Sequence, residues 1–348
     1  MNNVINTTDS FFENVAQIIE QSRSHVLRTI DMTMCATYFE VGRMIIEKEQ
    51  DGKDRAEYGR GLLAELSTFL GERFGKGFSE TNLKNARKFY QTYAPQIRQT
   101  VSDELHPFKL SWSHYLILMR VKNEQERNFY EIEAAKQQWT YRQLQRNYGS
   151  SLYERLALSR EKDDVLRLAN EGQMIEKPRD MLKNPLVLEF LDLSEDSSYS
   201  ETDLESAIIS KLSHFLLELG KGFLFEARQK RFTFDEDHFV VDLVFYNRLL
   251  SCYVLIDLKT GKLKHQDLGQ MQMYVNYFDR HVKTDKEKPT VGILLCKEKN
   301  DNVVELTLPE SSNIYASEYS LYLPEKALLQ RKLAEWVEEF EETHGESV

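Results

Sequence analysis

The chain has 348 residues, 41% of them apolar, and a formal net charge of −11. This is material for two ordinary cores, and the average sign disfavours indiscriminate binding to nucleic acid, because phosphate contacts need a basic surface that releases counterions. With no apolar run of about 18 residues, no basic start and apolar middle in MNNVINTTDSFFENV, and only Cys35, Cys252 and Cys296 far apart, we expect no membrane-spanning helix, signal peptide, disulfide framework or zinc-type cysteine pair. We expect a soluble, cytoplasmic protein with reduced cysteines and no membrane partner.

From Phe11 to Tyr148 the apolar residues recur at helical spacing, as in Ile18, Ile19, Val26 and Ile30, then Leu62, Leu63, Leu66, Phe69 and Leu70. This half is predicted to be mostly α. Its charge differs from that of the rest: cut after Arg160, the first part carries 22 Lys+Arg against 20 Asp+Glu and the second 23 against 36. Within it, Arg73 to Arg98 holds six basic residues and one acidic, Glu80. There GKGFSETNLKNARKFYQTY reads as a glycine-rich turn, Ser79 as N-cap, and a helix with Leu83, Ala86, Phe89 and Tyr90 inward. Lys84, Arg87 and Lys88 point outward, as in the second helix of a helix-turn-helix that meets phosphates, or as a solvated basic face, or as a protein-partner or dimerisation surface.

Breaker signals follow: Lys177-Pro178, Asn184-Pro185 and the polar run Ser194 to Ser200 surround a short apolar segment, LVLEFL. The domain boundary is placed between about 160 and 180, giving a helical, DNA- or partner-binding domain over 1–165 and a second domain over 175–345. Ser200-x-x-Asp203 resembles a capping box and opens a helix with Leu204, Ile208, Ile209, Leu212, Phe215, Leu216 and Leu219 on its apolar stripe. Three β-like runs, Phe223 to Phe234, Phe239 to Tyr246 and Cys252 to Lys259, precede a helix over Gln266 to Phe278 and a strand over Thr290 to Cys296. A last helix is predicted over Glu325 to Glu342, its acidic end a solvated face. The α-β-β-β-α-β order predicts a mixed sheet between helices.

The strand Phe239 to Tyr246 is apolar at both parities, so both faces should be buried, yet it carries Asp242. Cys252 to Lys259 repeats the anomaly, with Asp257 and Lys259 on one face. If the connecting turn is symmetric about Leu249 and Leu250, Asp242 stands across from Asp257. Carboxylates that close repel unless a cation lies between them, and a hard oxygen-seeking ion suits the pair. Glu205 shares the helical face of Ile209, Leu212 and Leu216, so a third carboxylate points inward, although a residue near a helix start also serves as a cap or macrodipole partner.

Glu205, Asp242 and Asp257-Leu258-Lys259, on helix, strand and strand, resemble the PD-(D/E)XK nuclease signature. The segments NPLVLEFLDL, DLESAIISKLSHFLLELGKGF, VDLVFYNRLLSCYVLIDLKTGKL, GQMQMYVNYFD and VGILLCKEKN look like those of the YhcG-like family, whose members carry a helical N-terminal domain. The resemblance implies a restriction-endonuclease-like α-β-β-β-α-β core and a Mg²⁺- or Mn²⁺-dependent nuclease acting on DNA, with RNA as the other candidate substrate. It implies that Asp242, Asp257 and the Leu258 carbonyl bind the metal, that Glu205 acts on the metal or a water, and that Lys259 orients or helps to deprotonate the attacking water. Gln270 and Tyr274 are similar to the Q-x-x-x-Y element of RecB-like enzymes, although a polar edge beside Met271, Val275 and Phe278 explains them equally. Glu205 stands where RecB-like enzymes tend to use a histidine, so their exonuclease activity is not carried over. Lys262 and Lys264, after the turn at Thr260-Gly261, are candidate phosphate contacts. The alternatives are a nucleic-acid-binding or regulatory subunit that keeps the fold without turnover, and an interaction module of a larger complex, with a homo-oligomer or partner protein. No H-E-x-x-H, Walker or dinucleotide motif occurs.

Overall fold

The computed structural model describes residues 7–51, 55–99, 108–160, 162–193, 199–234, 236–309 and 312–334. The chain divides into two compact units, Met1–Gln145 and Arg146–Val348. Residues 146–165, which the sequence assigns to the helical half, group with the second unit. Ionic ties of Arg146 and Arg155 to Glu218 hold them there.

The first unit is helical, as expected: α1 (Thr7–Asp51), α2 (Arg55–Phe74), α3 (Glu80–Gln99), α4 (Trp112–Leu118), α5 (Glu124–Lys136) and the start of α6 (Tyr141–Gly149). Ser79 Oγ accepts the Asn82 N–H at 3.3 Å, so α3 starts at its expected cap. Leu83, Ala86 and Phe89 are fully buried. Phe89 packs at ring-centroid distances of 4.7 Å from Phe108 and 4.9 Å from Tyr115. Ile18, Ile19, Val26 and Ile30 are helical as their spacing predicts, but they lie on the surface rather than in a core.

The crossing of α1 over α3 depends on Gly42. A Cβ there would stand 2.1 Å from the Ala86 carbonyl oxygen and 3.1 Å from Tyr90 Cβ. Backbone cannot yield as a flexible side chain can, so Gly42→Ala should push the helices apart. We expect the substitution to cost roughly 1–3 kcal/mol, read as a lowered melting temperature. Gly61→Ala, where an added Cβ meets nothing within 4 Å, is the control and should melt no lower than the parent.

In the second unit α7 (Leu152–Ala157) and α8 (Lys162–Glu171) precede a six-stranded sheet in the order β1-β6-β5-β4-β3-β2. The strands are β1 (Leu186–Val187), β2 (Phe223–Phe234), β3 (Asp237–Asn247), β4 (Cys252–Lys262), β5 (Val291–Glu298) and β6 (Ile314–Ser320). The pairs β2·β3 and β3·β4 are antiparallel, whereas β4·β5, β5·β6 and β6·β1 are parallel. Helices α9 (Glu201–Ser210) and α10 (Leu212–Leu219) cover one face, packing Leu204, Ile208 and Phe215 on Phe245, Val254 and Ile256. Helices α11 (His265–Tyr277) and α12 (Asp301–Thr307) lie on the other face, with Met271, Tyr274 and Phe278 on Val244, Leu255 and Leu294.

The Ser200–Asp203 capping box is present. The single helix expected after it is two, interrupted at Lys211, and β1 and β6 complete the sheet beyond the expected strands. Residues 326–334 are helical; the remainder of the helix expected to Glu342 lies outside the described residues, as does most of the run Ser194 to Ser200. The β3–β4 turn closes on Asn247, whose Oδ1 accepts the N–H groups of Leu249 at 3.0 Å and Leu250 at 3.2 Å. No helix among the described residues is long and apolar enough to cross a membrane. All three cysteines are free and buried, and burial pushes the Cys35 and Cys296 thiols up to about 12 and that of Cys252 to about 11.

Candidate active site

The β3·β4 ladder runs from Asn247↔Cys252 to Leu243↔Ile256. The next position on that register would set Asp242 against Asp257, and the ladder ends there. The Asp242 carboxylate takes over one rung: its Oδ2 accepts the Leu258 N–H at 2.8 Å. On β4 the period of two puts Asp257 and Lys259 on one face, and Lys259 Nζ lies 2.7 Å from Asp257 Oδ2. Lys259 Nζ also stands 3.7 Å from Glu201 Oε2, on the first residue of α9.

Glu205, 3% exposed, comes down from α9 towards β2. Its Oε2 accepts from Gln229 Nε2 at 2.5 Å, and the same amide donates to Asp242 Oδ1 at 3.3 Å. Arg228 Nε is 3.5 Å from Glu205 Oε1. Gln229 therefore links the helix carboxylate to the strand carboxylate. It does so from a left-handed backbone, φ 47°, between the rungs Arg228↔Leu243 and Lys230↔Val241. That conformation costs a non-glycine residue roughly 1–3 kcal/mol.

Burial raises the pKa of all three carboxyls. Asp257 is pushed up to about 6: burial is the main cause, Asp242 and Glu201 add to it, and Lys259 opposes it. Asp242 and Glu205 are raised by burial, and Asp242 adds to the rise of Glu205. Burial alone would lower Lys259, but Asp257 and the neighbouring carboxylates outweigh it and hold the ammonium protonated. The site has more negative charge than its own cations neutralise.

Glu205 Oε1 is shielded from solvent without an aligned hydrogen-bond donor, and Asp257 Oδ2, equally shielded, has the Lys259 ammonium as its partner. Clustered buried carboxylates, one with an oxygen lacking a donor, suit a hard cation that keeps part of its water shell and uses one or two carboxylates. Among the described residues no three His, Cys, Asp or Glu side chains converge as a ligand set, so the fit to such an ion rests on the strand pair.

The Gln270 amide donates to the Tyr274 hydroxyl. Tyr274 is buried, packs edge-on to Phe232 at 5.7 Å, and has its pKa raised by burial first and then by Asp257 and Asp242. Gln270 is exposed. Lys262 Nζ pairs with Glu298 Oε1 at 3.2 Å, and Lys264 is exposed at the start of α11. In the first unit Lys84 lies 3.4 Å from Glu80, Arg87 is tied to Glu49 at 2.7 Å, and Lys88 is exposed.

Gln229, Arg228 and Glu201 are site neighbours that sequence reasoning did not single out. A polar run, Glu226 to Arg231, interrupts the apolar alternation of β2. Its register on β3 shifts between Phe225 and Ala227, and that shift hid which residue faces Asp242.

Two family models match the chain: the YhcG PDDEXK nuclease domain over residues 179–334 and the DUF1016 N-terminal domain over residues 14–155. Over 347 residues the chain is 37% identical to "Putative nuclease YhcG" of Escherichia coli (strain K12), covering 92% of each. Among solved structures, a repair endonuclease from Pyrococcus abyssi matches at 19% identity with a TM-score of 0.25, over 38% of this chain and 50% of that one. The EndoMS–dsDNA2 complex matches at 17% identity with a TM-score of 0.26, again over 38% and 50%. The matched region thus spans about half the length of these solved proteins.

Proposed function

This chain belongs to the YhcG PDDEXK nuclease family, and from that premise we propose that it hydrolyses phosphodiester bonds in DNA with Mg²⁺ or Mn²⁺, in the cytoplasm, in a restriction, defence or recombination-type role. The observation that carries the reading is the end of the β3·β4 ladder, where Asp242 and Asp257 meet and Lys259 stands beside Asp257. Asp242, Asp257 and the Leu258 carbonyl would hold the cation. When bound, the ion supplies positive charge for the phosphate and acidifies water.

The chain's own groups do the rest. Lys259, kept protonated by Asp257, orients the attacking water and lays positive charge against the charge that develops on the phosphate oxygens. Glu205, with an oxygen free of an aligned donor, accepts a hydrogen bond or a proton from water at the site. Gln270 and Tyr274 would border the site from α11, and Lys262, at the end of β4, and Lys264, at the cap of α11, are the proposed phosphate contacts. The division into a helical DNA- or partner-binding domain over 1–165 and a nuclease domain over 175–345 is part of this proposal.

The deciding experiment incubates the protein with linear, circular, branched and single-stranded DNA, and with RNA, under EDTA, Mg²⁺ or Mn²⁺. Cleavage that EDTA abolishes supports the reading. Binding of DNA with no cleavage under any metal would assign the chain to the regulatory class instead.

The basic face of α3 is the proposed DNA contact of the first unit. Replacing Lys84, Arg87 and Lys88 together by Ala should weaken DNA binding and flatten log K against log salt by up to about 0.9 per lost phosphate contact. Arg87→Ala alone should have the smallest effect of the three, because its guanidinium is already committed to Glu49. An unchanged slope in the triple variant would make this face a protein surface.

A further inference from the structure

The first half of α1 carries an apolar stripe that its own unit does not cover. Phe11, Phe12, Val15, Ile18, Ile19, Val26 and Ile30 are each between 39% and 63% exposed. At about 100° per residue they fall within a third of the helix circumference. The opposite side faces the chain's own body: Gln17, Glu20, Gln21, Arg28 and Asp31 line an open groove of about 750 Å³ with residues of α4 and α5, Leu27 being the one large apolar residue of α1 among them. Further along α1 the same inward side buries Cys35, Tyr38 and Ile45. The helix thus turns its polar side inward and its apolar side outward, the reverse of a helix that packs only within its own fold. After Ile30 the outward line turns polar, through Thr33, Thr37, Glu40 and Glu47, apart from Met44.

We infer that this stripe is the contact surface of a homodimer in which α1 of a second copy packs antiparallel across residues 11–30. The seven side chains expose on the order of 700 Å², close to the roughly 800 Å² that each partner contributes to a standard stable interface and more than a monomer ordinarily leaves bare in one patch. The stripe is about 29 Å long, and one identical stripe laid on another satisfies a two-fold interface with no second surface needed. The antiparallel sense also sets the two helix macrodipoles head to tail, whereas parallel copies would set like ends together. A membrane surface is the poorer match: the inward side carries Gln17, Glu20, Gln21 and Asp31 with one arginine, not the Lys/Arg-rich polar face of an interfacial helix.

The test is the mass of the full chain in solution at micromolar concentrations, by light scattering after size exclusion and by sedimentation. We expect twice the 40.9 kDa of one chain. Ile19→Asp with Val26→Asp should give a monomer with unchanged helical circular dichroism. Ile19→Ala, which leaves helix propensity intact, should weaken dimerisation by about tenfold or more. For the sense of the pair, Ser22→Cys lies within about 5 Å along the axis of its counterpart near the dyad and should oxidise to a cross-linked dimer. Val15→Cys, about 17 Å from its counterpart, should not. The three native cysteines are buried and do not enter this assay. A wild-type monomer, a dimer that survives the double Asp variant, cross-linking at both positions, or a monomer that floats with anionic vesicles would each overturn the inference. None of these readouts depends on nuclease activity.

Discussion

Asp257→Asn and Lys259→Ala should each reduce cleavage by on the order of 10³-fold or more, corresponding to the several kcal/mol that a metal ligand or a preorganised charge contributes at a phosphoryl centre. The two variants should part company in metal binding. In the wild type Mg²⁺ or Mn²⁺ should raise the melting temperature by mass action. Asp242→Asn or Asp257→Asn should abolish that rise, whereas Lys259→Ala should keep it and still fail to cut. Metal-free Asp257→Asn should melt no lower than its parent, because asparagine copies the protonated acid that burial and Asp242 already favour at that position. A purely structural ion pair would behave in the opposite way, each substitution stranding a buried partner at roughly 3–5 kcal/mol. Glu205→Gln should remain folded and need more metal for the same rate. Full cleavage by Asp257→Asn or Lys259→Ala would refute the site.

The second large effect is one of stability. Glu218, 1% exposed, holds the second unit's opening segments to its core. Its Oε1 meets Arg155 Nη1 at 2.5 Å and accepts the Val187 N–H at 3.0 Å; its Oε2 is 3.3 Å from Arg146 Nη1. Lys183 donates to its backbone carbonyl. Arg155, fully buried, also donates to the Ser150 carbonyl at 2.8 Å and the Pro185 carbonyl at 3.0 Å. Burial would raise the Glu218 carboxyl, but Arg155, Lys183 and Arg146 outweigh it and hold it down at about 2, against an ordinary 4.5. A depressed folded-state pKa contributes stability that is present above about pH 4.5 and is lost as pH falls towards 2, because the unfolded chain takes up the proton first.

Glu218→Gln should therefore destabilise the unit by about 3–5 kcal/mol at pH 7 by leaving Arg155 charged and unpaired. The deficit should shrink in urea melts as pH is lowered from 5 towards 2, since the wild type loses the same charge there. Arg155→Met combined with Glu218→Leu should recover much of the loss. A Glu218→Gln variant with wild-type stability at neutral pH would show the network to be ornamental.

Much of the second unit was legible because its period is unambiguous. Strand β2 matches the predicted run Phe223 to Phe234, β3 and β4 differ from theirs only by a few terminal residues, and the hairpin register follows from a turn symmetric about Leu249 and Leu250. Strands β1 and β6 escaped: a two-residue strand carries no period, and Ile314–Ser320 mixes small, polar and aromatic residues at an edge of the parallel layer. Glu205 could be read inward from its helical face, whereas Gln229 could not, since its place opposite Asp242 follows only after a bulge. In the first unit the period gave the helices but not which face meets the protein, and α1 shows how far those two can diverge.

Beyond Leu243↔Ile256 the sheet divides: β3 continues with β2 alone, and β4 continues with β5. The sheet is in effect a tuning fork with its two tines joined at the turn end of the hairpin, and the candidate carboxylates sit at the crotch. A tine held at one end bends as a cantilever, so the spacing at Asp242 and Asp257 rests on the rungs below them. The bond from the Leu258 N–H to Asp242 is the latch across that gap. Any force that opens the fork must stretch that latch first, so the splay of the β2–β3 arm and the position of the Asp242 carboxylate move together.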